Sequence, residues 1–127
     1  MTQEDKDLLL KDLCGRLPYG VKVQTTYINP RTKERTDIGT DVLSTVEISM
    51  LIDGYEEHKP YLFPLTSMSE EQLVIYGDLC YAIIHSLAWD TQAALNELVD
   101  WLNENHFDYN NLIPMDLAID ATGKNIY

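Results

Sequence analysis

Val-Lys-Val-Gln-Thr-Thr-Tyr, residues 21–27, places an apolar or β-branched side chain at every second position and a polar one between them. Successive side chains of a β-strand point to opposite faces of a sheet, so this alternation predicts a half-buried strand. Asn29-Pro30-Arg31-Thr32 follows with turn-forming residues, and a polar return strand is expected near Glu34–Gly39. The two segments together predict a β-hairpin.

Further along the chain, Val42–Ile52 fits a third strand that ends at the turn residues Asp53-Gly54. Its apolar face would consist of Val42, Val46, Ile48, Met50 and Ile52. Because the connections are short, an antiparallel meander is the simplest arrangement. Tyr61–Phe63 could add a fourth strand, and Pro60 and Pro64 would confine it to an edge of the sheet.

Upstream of the first strand, a helix is predicted. Thr2 can cap it, and Glu4 and Asp5 suit the positive end of the helix. Gly15 and Pro18 are expected to end it. One apolar stripe at helical spacing consists of Leu10, Leu13, Cys14 and Leu17.

A second helix is expected after Leu65, with either Ser67 or Ser69 as its cap and Glu70 or Gln72 completing a capping box. It should run to about Ser86. Its apolar side chains cover more than one face, which is typical of a helix at the centre of a domain. They are Leu73, Ile75, Tyr76, Leu79, Cys80, Ile83, Ile84 and Leu87.

A third helix, capped by Asp90, should direct Leu95, Leu98, Trp101 and Leu102 inward. The sequence thus predicts one α+β domain over residues 1–127. It has an N-terminal helix, an antiparallel meander of three strands (four with Tyr61–Phe63), and two C-terminal helices packed on the sheet. The segment of about 107–127 should be irregular, and 122–127 should fray.

The formal charge of −12 is unevenly distributed. Residues 1–59 contain 8 Lys/Arg and 11 Asp/Glu, whereas residues 60–123 contain no Lys or Arg and 10 Asp/Glu. Phosphate contacts require Lys or Arg, so direct binding of nucleic acid or of an anionic membrane through the later half is disfavoured. The functional interpretation of this charge is that it forms an acidic face that binds a basic partner or imitates DNA. The alternative is that the charge only maintains solubility.

No residue is predicted to be catalytic, to bind a cofactor or to hold a metal. The nucleotide, zinc and calcium motifs are missing, and His58, His85 and His106 lie far apart in the sequence. Cys14 and Cys80 are interpreted as buried free thiols. One alternative stays open, a small enzyme or ligand-binding domain with a pocket near His106, Asp108 and Tyr109.

Three segments, 8–22, 59–72 and 101–113, resemble as a set a family of small uncharacterised proteins from gut bacteria of the Bacteroides group, their phages and mobile elements. They are Leu-Leu-Leu-Lys-Asp-Leu-Cys-Gly-Arg-Leu-Pro-Tyr-Gly-Val-Lys, Lys-Pro-Tyr-Leu-Phe-Pro-Leu-Thr-Ser-Met-Ser-Glu-Glu-Gln and Trp-Leu-Asn-Glu-Asn-His-Phe-Asp-Tyr-Asn-Asn-Leu-Ile. The resemblance implies an accessory role in a phage or mobile element and transfers no functional residue.

The expected function is therefore that of a non-enzymatic, acidic interaction protein that binds a host or element protein and, in its sharpest version, imitates DNA. The acidic, polar N-terminal residues do not resemble a secretion signal. No uncharged run approaches the roughly 20 residues that span a membrane, so a cytoplasmic location is expected. The candidate interaction surface consists of Glu70, Glu71, Asp78, Glu97, Asp100, Glu104 and Tyr109.

Overall fold

The structure, a computed structural model, describes residues 1–87 and 90–127. Within these residues the chain is α+β, with four α-helices and a mixed sheet of five strands, which confirms the predicted fold class. The elements in chain order are α1 (Gln3–Arg16), β1 (Lys22–Ile28), β2 (Arg35–Val42), α2 (Thr45–Ile52), β3 (Glu56–Pro64), α3 (Glu70–Ile84), α4 (Thr91–Glu104), β4 (Phe107–Asp108) and β5 (Ile119–Asp120).

The β1–β2 hairpin forms as predicted. Its strands are antiparallel, with Lys22 opposite Val42 at one end and Ile28 opposite Arg35 at the other. In the turn, the side-chain oxygen of Asn29 accepts hydrogen bonds from the backbone N–H groups of Arg31 and Thr32. An asparagine that bonds the backbone two residues ahead is a common turn device, so the local sequence fixes this connection.

The predicted third strand is wrong, because residues 45–52 form the helix α2. Ser44 and Glu47 make a reciprocal capping box, in which the backbone N–H of Ser44 donates to Glu47 Oε2 at 3.0 Å. The apolar residues at even-numbered positions favour a strand, whereas the capping box favours a helix. The helix forms. A Ser-x-x-Glu pattern was therefore present in the sequence and was the overlooked indication.

Tyr61–Phe63 is a strand, as the sequence suggested, but its predicted edge position is wrong, because it belongs to β3, which lies inside the sheet. The strand order is β2-β1-β3-β4, with β5 also paired to β3. β3 is antiparallel to β1 but parallel to β4 and β5, so the sheet is mixed and not an antiparallel meander. Pro60 lies at the end of the β1 pairing, opposite Val23, where one missing N–H disturbs the ladder least.

The N-terminal helix begins as predicted. Thr2 accepts a hydrogen bond from the backbone N–H of Asp5, whose side chain bonds back to Thr2. The buried side of α1 differs from the predicted stripe: Leu9 and Leu13 are buried with Asp12 and Arg16, whereas Cys14 is exposed. The core joins α1, the sheet and the loops, and includes Leu9, Leu13, Val21, Val23, Leu43, Leu51, Leu62, Leu112, Leu117 and Ala118.

The C-terminal helices depart from the expected packing on the sheet. α4 contacts α1 and β4, whereas α3 packs mainly against α4. Residues 107–127 are only partly irregular, because they contain the short strands β4 and β5, which pair with β3. Phe107, Leu112 and Ala121 are buried there. Tyr127 is also held, because its hydroxyl donates to the carbonyl of Tyr61 at 2.7 Å. Tyr127, in the segment predicted to fray, is therefore tied to β3.

Candidate interaction surface

The apolar helix α3 does not lie at the centre of the domain, which corrects the prediction. None of its residues, all of which the structure describes, is buried. Its side toward α4 is half-buried and consists of Gln72, Tyr76, Leu79, Cys80 and Ile83. Its remaining large apolar side chains are exposed, from 44% at Ile75 to 77% at Ile84. Such a concentration of exposed apolar surface is typical of an interaction site.

A groove of about 600 Å³ lies between α3 and α4. Its floor is apolar and consists of Ile75, Leu79, Ala93 and Trp101. Its rim comes from α4 and consists of Asn96, Glu97, Asp100 and Glu104. The three rim carboxylates, Glu97, Asp100 and Glu104, are three and four positions apart, so each successive turn of α4 adds one of them.

One capping arrangement and two aromatic contacts position this groove. Ser69 accepts a hydrogen bond from the backbone N–H of Gln72 at 3.1 Å, which starts α3 and decides between the two predicted caps. Asp90 precedes α4 as expected but makes no side-chain capping bond. The Trp101 ring lies 6.4 Å from that of Tyr76 and 5.6 Å from that of Phe107, so it joins the α3–α4 hairpin to the core.

In the part of the chain that the structure describes, the carboxylates of α3 and α4 form no ion pair with a Lys or Arg side chain. Among residues 1–87 and 90–127, the Lys and Arg ion pairs join Arg16 to Asp12, Arg35 to Glu57 and Lys59 to Asp116, and all three lie outside α3 and α4. Asp100 instead accepts a hydrogen bond from the Tyr19 hydroxyl at 2.9 Å, which raises the pKa of Tyr19. The acidic rim is therefore uncompensated.

The structure brings together only part of the predicted interaction surface. Glu97, Asp100 and Glu104 line the groove, and all three are exposed. The α3 carboxylates Glu70, Glu71 and Asp78 are exposed but lie outside the groove. Glu71 and Asp78, seven positions apart, share a side of α3 that points away from α4. Tyr109 lies elsewhere, with its ring 4.9 Å from the guanidinium carbon of Arg16.

His106, the first residue of the alternative pocket, stacks on Tyr127 with ring centroids 3.8 Å apart. Burial lowers the pKa of His106 to about 4, and the positive charge of Arg16 adds to the shift. Its backbone has φ of 61°, the left-handed conformation that is common at the residue following a helix C-cap, here Asn105. His106 lines a cavity of about 320 Å³ with Phe63 and Phe107, and neither Asp108 nor Tyr109 reaches that cavity.

Asp108 and Tyr109 are engaged in structural contacts. The buried Asp108 carboxylate accepts hydrogen bonds from the backbone N–H groups of Leu112 and Ile113, at 2.8 and 2.9 Å. The Tyr109 hydroxyl donates to Asn103 at 2.7 Å, and burial raises its pKa. The three residues therefore do not converge on a common position where a substrate could react.

A buried ion pair that the sequence analysis missed lies beneath Tyr109. Arg16 donates from Nε to Asp12 at 2.7 Å and from Nη2 to the carbonyl of Phe107 at 2.6 Å. Asn110 donates to the same carboxylate at 2.8 Å, so the pair ties α1 to the segment after α4. The spacing of Asp12 and Arg16, four residues apart on a helix, was the available signal.

His58 forms a second buried polar contact. Its Nδ1 lies 3.0 Å from the Thr25 hydroxyl, and its Nε2 lies 3.1 Å from Glu56, too poorly aligned for a hydrogen bond. Burial lowers the pKa of His58, against the opposing effect of Glu56 and Glu47. This histidine links β3 to β1 and is completely buried, so it has a structural position.

No group of three or more metal-ligating side chains occurs in the described part of the chain. Cys14 and Cys80 are both free; the first is exposed and the second half-buried, which corrects the prediction that both are buried. None of the helices in residues 1–87 and 90–127 has the length and apolarity needed to cross a membrane. No protein-family model, curated protein or solved structure matches the chain.

Proposed function

We propose that this chain is a non-enzymatic interaction protein whose contact surface is the α3–α4 hairpin. The observation that carries the proposal is the exposure of α3: a helix with apolar residues on several sides contributes nothing to the buried core. Exposing such a surface costs hydrophobic free energy that a partner would recover on binding.

The uncompensated carboxylates of α4 support a partner with basic character rather than another acidic one. The more specific proposals, an accessory role in a phage or mobile element and a cytoplasmic location, rest on the sequence alone. The DNA-imitating version has less support. A DNA mimic needs a continuous face of carboxylates, whereas Glu71 and Asp78 point away from the groove that Glu97, Asp100 and Glu104 line.

The alternative, a small enzyme or ligand-binding domain near His106, Asp108 and Tyr109, also has less support. The pKa of His106, about 4, keeps the ring neutral near pH 7, but it lies well below the pH at which a general base would have to work. Asp108 and Tyr109 are occupied by backbone and Asn103 contacts, and they do not line the His106 cavity.

Affinity capture from a lysate of the cells that express the protein would test the proposal. The hairpin variant Ile75→Glu/Ile84→Glu adds two charges to exposed apolar positions of α3. The matched control Ile38→Glu/Val46→Glu adds the same charges at positions that are 59% and 67% exposed, outside the hairpin. We expect the wild type and the control to retain the same partner and the hairpin variant to lose it. Equal retention by all three proteins would refute the hairpin as the contact surface.

A further inference from the structure

We infer that the α3–α4 groove binds a basic amphipathic helix of a partner protein. The inference rests on the proposed function, because it names the class of partner for the same hairpin. An amphipathic helix binds by laying its apolar side into a hydrophobic groove while its charged side faces the rim.

The dimensions of the groove suit such an occupant. Its α4 wall extends from Ala93 to Glu104, which at 1.5 Å per residue is about 16 Å, or three helical turns. The apolar floor formed by Ile75, Leu79 and Trp101 can receive side chains at the i, i+3, i+4 and i+7 positions of a helix. A groove of about 600 Å³ holds several such side chains.

The negative charge of the groove rim favours a basic helix over an acidic one of the same size. The three rim carboxylates, Glu97, Asp100 and Glu104, have no cationic partner in the described part of the chain, and residues 60–123 contain no Lys or Arg. Lysines or arginines flanking the apolar side of a bound helix would face this rim. The same rim repels an acidic helix, a nucleic-acid backbone and an anionic membrane surface.

A second copy of this chain is a poorer occupant. In a symmetric dimer, the same surface patch meets itself. Two grooves in contact would therefore place Glu97, Asp100 and Glu104 against the same three carboxylates, with no cation from residues 60–123 to separate them.

Fluorescence anisotropy with a labelled peptide tests the inference on the full chain. The probe is a peptide of about 18 residues, built from leucine and lysine with leucines at helical spacing. One comparison peptide has the same composition in a scrambled order that destroys the apolar side. A second comparison peptide replaces every lysine with glutamate.

Protein variants then locate the binding site. Glu97→Gln/Asp100→Asn/Glu104→Gln removes the rim charge and leaves an oxygen at position 100 to accept from Tyr19. The control Glu4→Gln/Glu34→Gln/Asp53→Asn removes the same charge at exposed positions outside the hairpin and its groove. Ile75→Ala shortens an exposed side chain of the floor without opening the core.

We expect the amphipathic lysine peptide to bind the wild type at least tenfold more tightly than either comparison peptide. Three lost surface ion pairs should weaken binding about tenfold in the rim variant and less than about twofold in the control. Ile75→Ala should weaken it about fivefold through the lost apolar contact.

Equal binding of the scrambled peptide, or equal weakening by the control variant, would show only general attraction to an acidic protein and would overturn the inference. A dimer of the free chain that Ile75→Ala dissociates would identify a second copy as the occupant and would also overturn it. If hairpin-dependent capture from lysate persists while the peptide fails to bind, the proposed function stands and this inference falls. If neither occurs, both fall.

Discussion

At the scale of single residues, Asp12 and Arg16 form a completely buried ion pair that links α1 to the backbone after α4. Sequence spacing alone could have placed them on one face of the helix. It could not indicate that this face turns inward, because Leu10, Cys14 and Leu17 offered a more apolar stripe. The carbonyl of Phe107 and the amide of Asn110, both far away in the sequence, make the inward face favourable.

Asp12→Ala should lower the free energy of unfolding by about 3–5 kcal/mol, because it leaves the Arg16 guanidinium buried without a counter-charge. Urea denaturation followed by circular dichroism measures this change. The double variant Asp12→Leu/Arg16→Met removes both charges and should cost less than the single change. If the double variant lowers the free energy of unfolding more than Asp12→Ala does, the unpaired buried charge is not the main cause of the destabilisation.

His106 should make stability depend on pH. Its pKa is about 4 in the folded chain and near 6.5 when unfolded, so the unfolded state binds more protons between these values. Stability from this group is thus complete above about pH 6.5 and is lost as the pH falls toward 4. With solvent screening of the half-buried ring, the loss between pH 6.5 and 5 should be on the order of 1 kcal/mol.

The variant His106→Asn tests this dependence, since asparagine accepts the positive φ of 61° and does not titrate. Urea denaturation at pH 7, 6 and 5 should give a shallower decline in stability for the variant than for the wild type. The titration of His58 contributes equally to both proteins. Parallel declines would mean that His106 is not protonated on unfolding in this range.

At the scale of elements, sequence reasoning succeeded where local signals and burial agree. The β1–β2 hairpin and the start of α1 depend on an asparagine turn and a threonine cap, both of which act on their own neighbours. Residues 45–52 gave two conflicting signals, and the capping box of Ser44 and Glu47 prevailed over the alternation. The position of α3 could not be predicted from the sequence. Many apolar residues on a helix indicate that it packs against apolar surface, but not whether that surface belongs to this chain or to a partner.

Ser69→Ala should destabilise the start of α3 by about 1 kcal/mol, because the N-terminal N–H of Gln72 loses its acceptor. Since α3 packs mainly against α4, the effect should appear as faster hydrogen exchange of α3 amides with little change in β1 and β3. Ser67→Ala is the matched control, because the Ser67 hydroxyl bonds Pro64 in the preceding turn. Acceleration throughout the sheet in Ser69→Ala would indicate that α3 unfolds only with the whole domain.

The exposure of α3 predicts that its apolar residues contribute little to the folding of the isolated chain. Ile84→Ser, at a position that is 77% exposed, should change the free energy of unfolding by less than about 0.5 kcal/mol. Leu102→Ala, at a buried position of α4, should cost about 2–5 kcal/mol by opening a cavity. Urea denaturation of both variants measures the contrast. Similar costs would place α3 within the cooperative core.

At the scale of the whole molecule, apolar surface and negative charge occupy the same hairpin. The candidate surface could be predicted in part from the sequence, since the missing cations of residues 60–123 are visible there. Which carboxylates share a groove could not, because Glu97, Asp100 and Glu104 meet Ile75 and Leu79 only through the packing of α3 on α4. Charge thereby opposes the self-association that the exposed apolar side chains would otherwise favour.

This opposition predicts that the free chain self-associates when its charge is neutralised. Lowering the pH toward the isoelectric point that the composition implies, about 4.4, protonates carboxylates. Tyr81 and Ile84 are 63% and 77% exposed on α3 and keep their apolar surface. Light scattering coupled to size-exclusion chromatography should show a rise in mass from pH 7 to 5. Tyr81→Ser/Ile84→Ser should suppress the rise, and Ile38→Ser/Val46→Ser, at exposed positions outside the hairpin, should not. Equal association of all three proteins would mean that the chain does not self-associate through the apolar residues of α3.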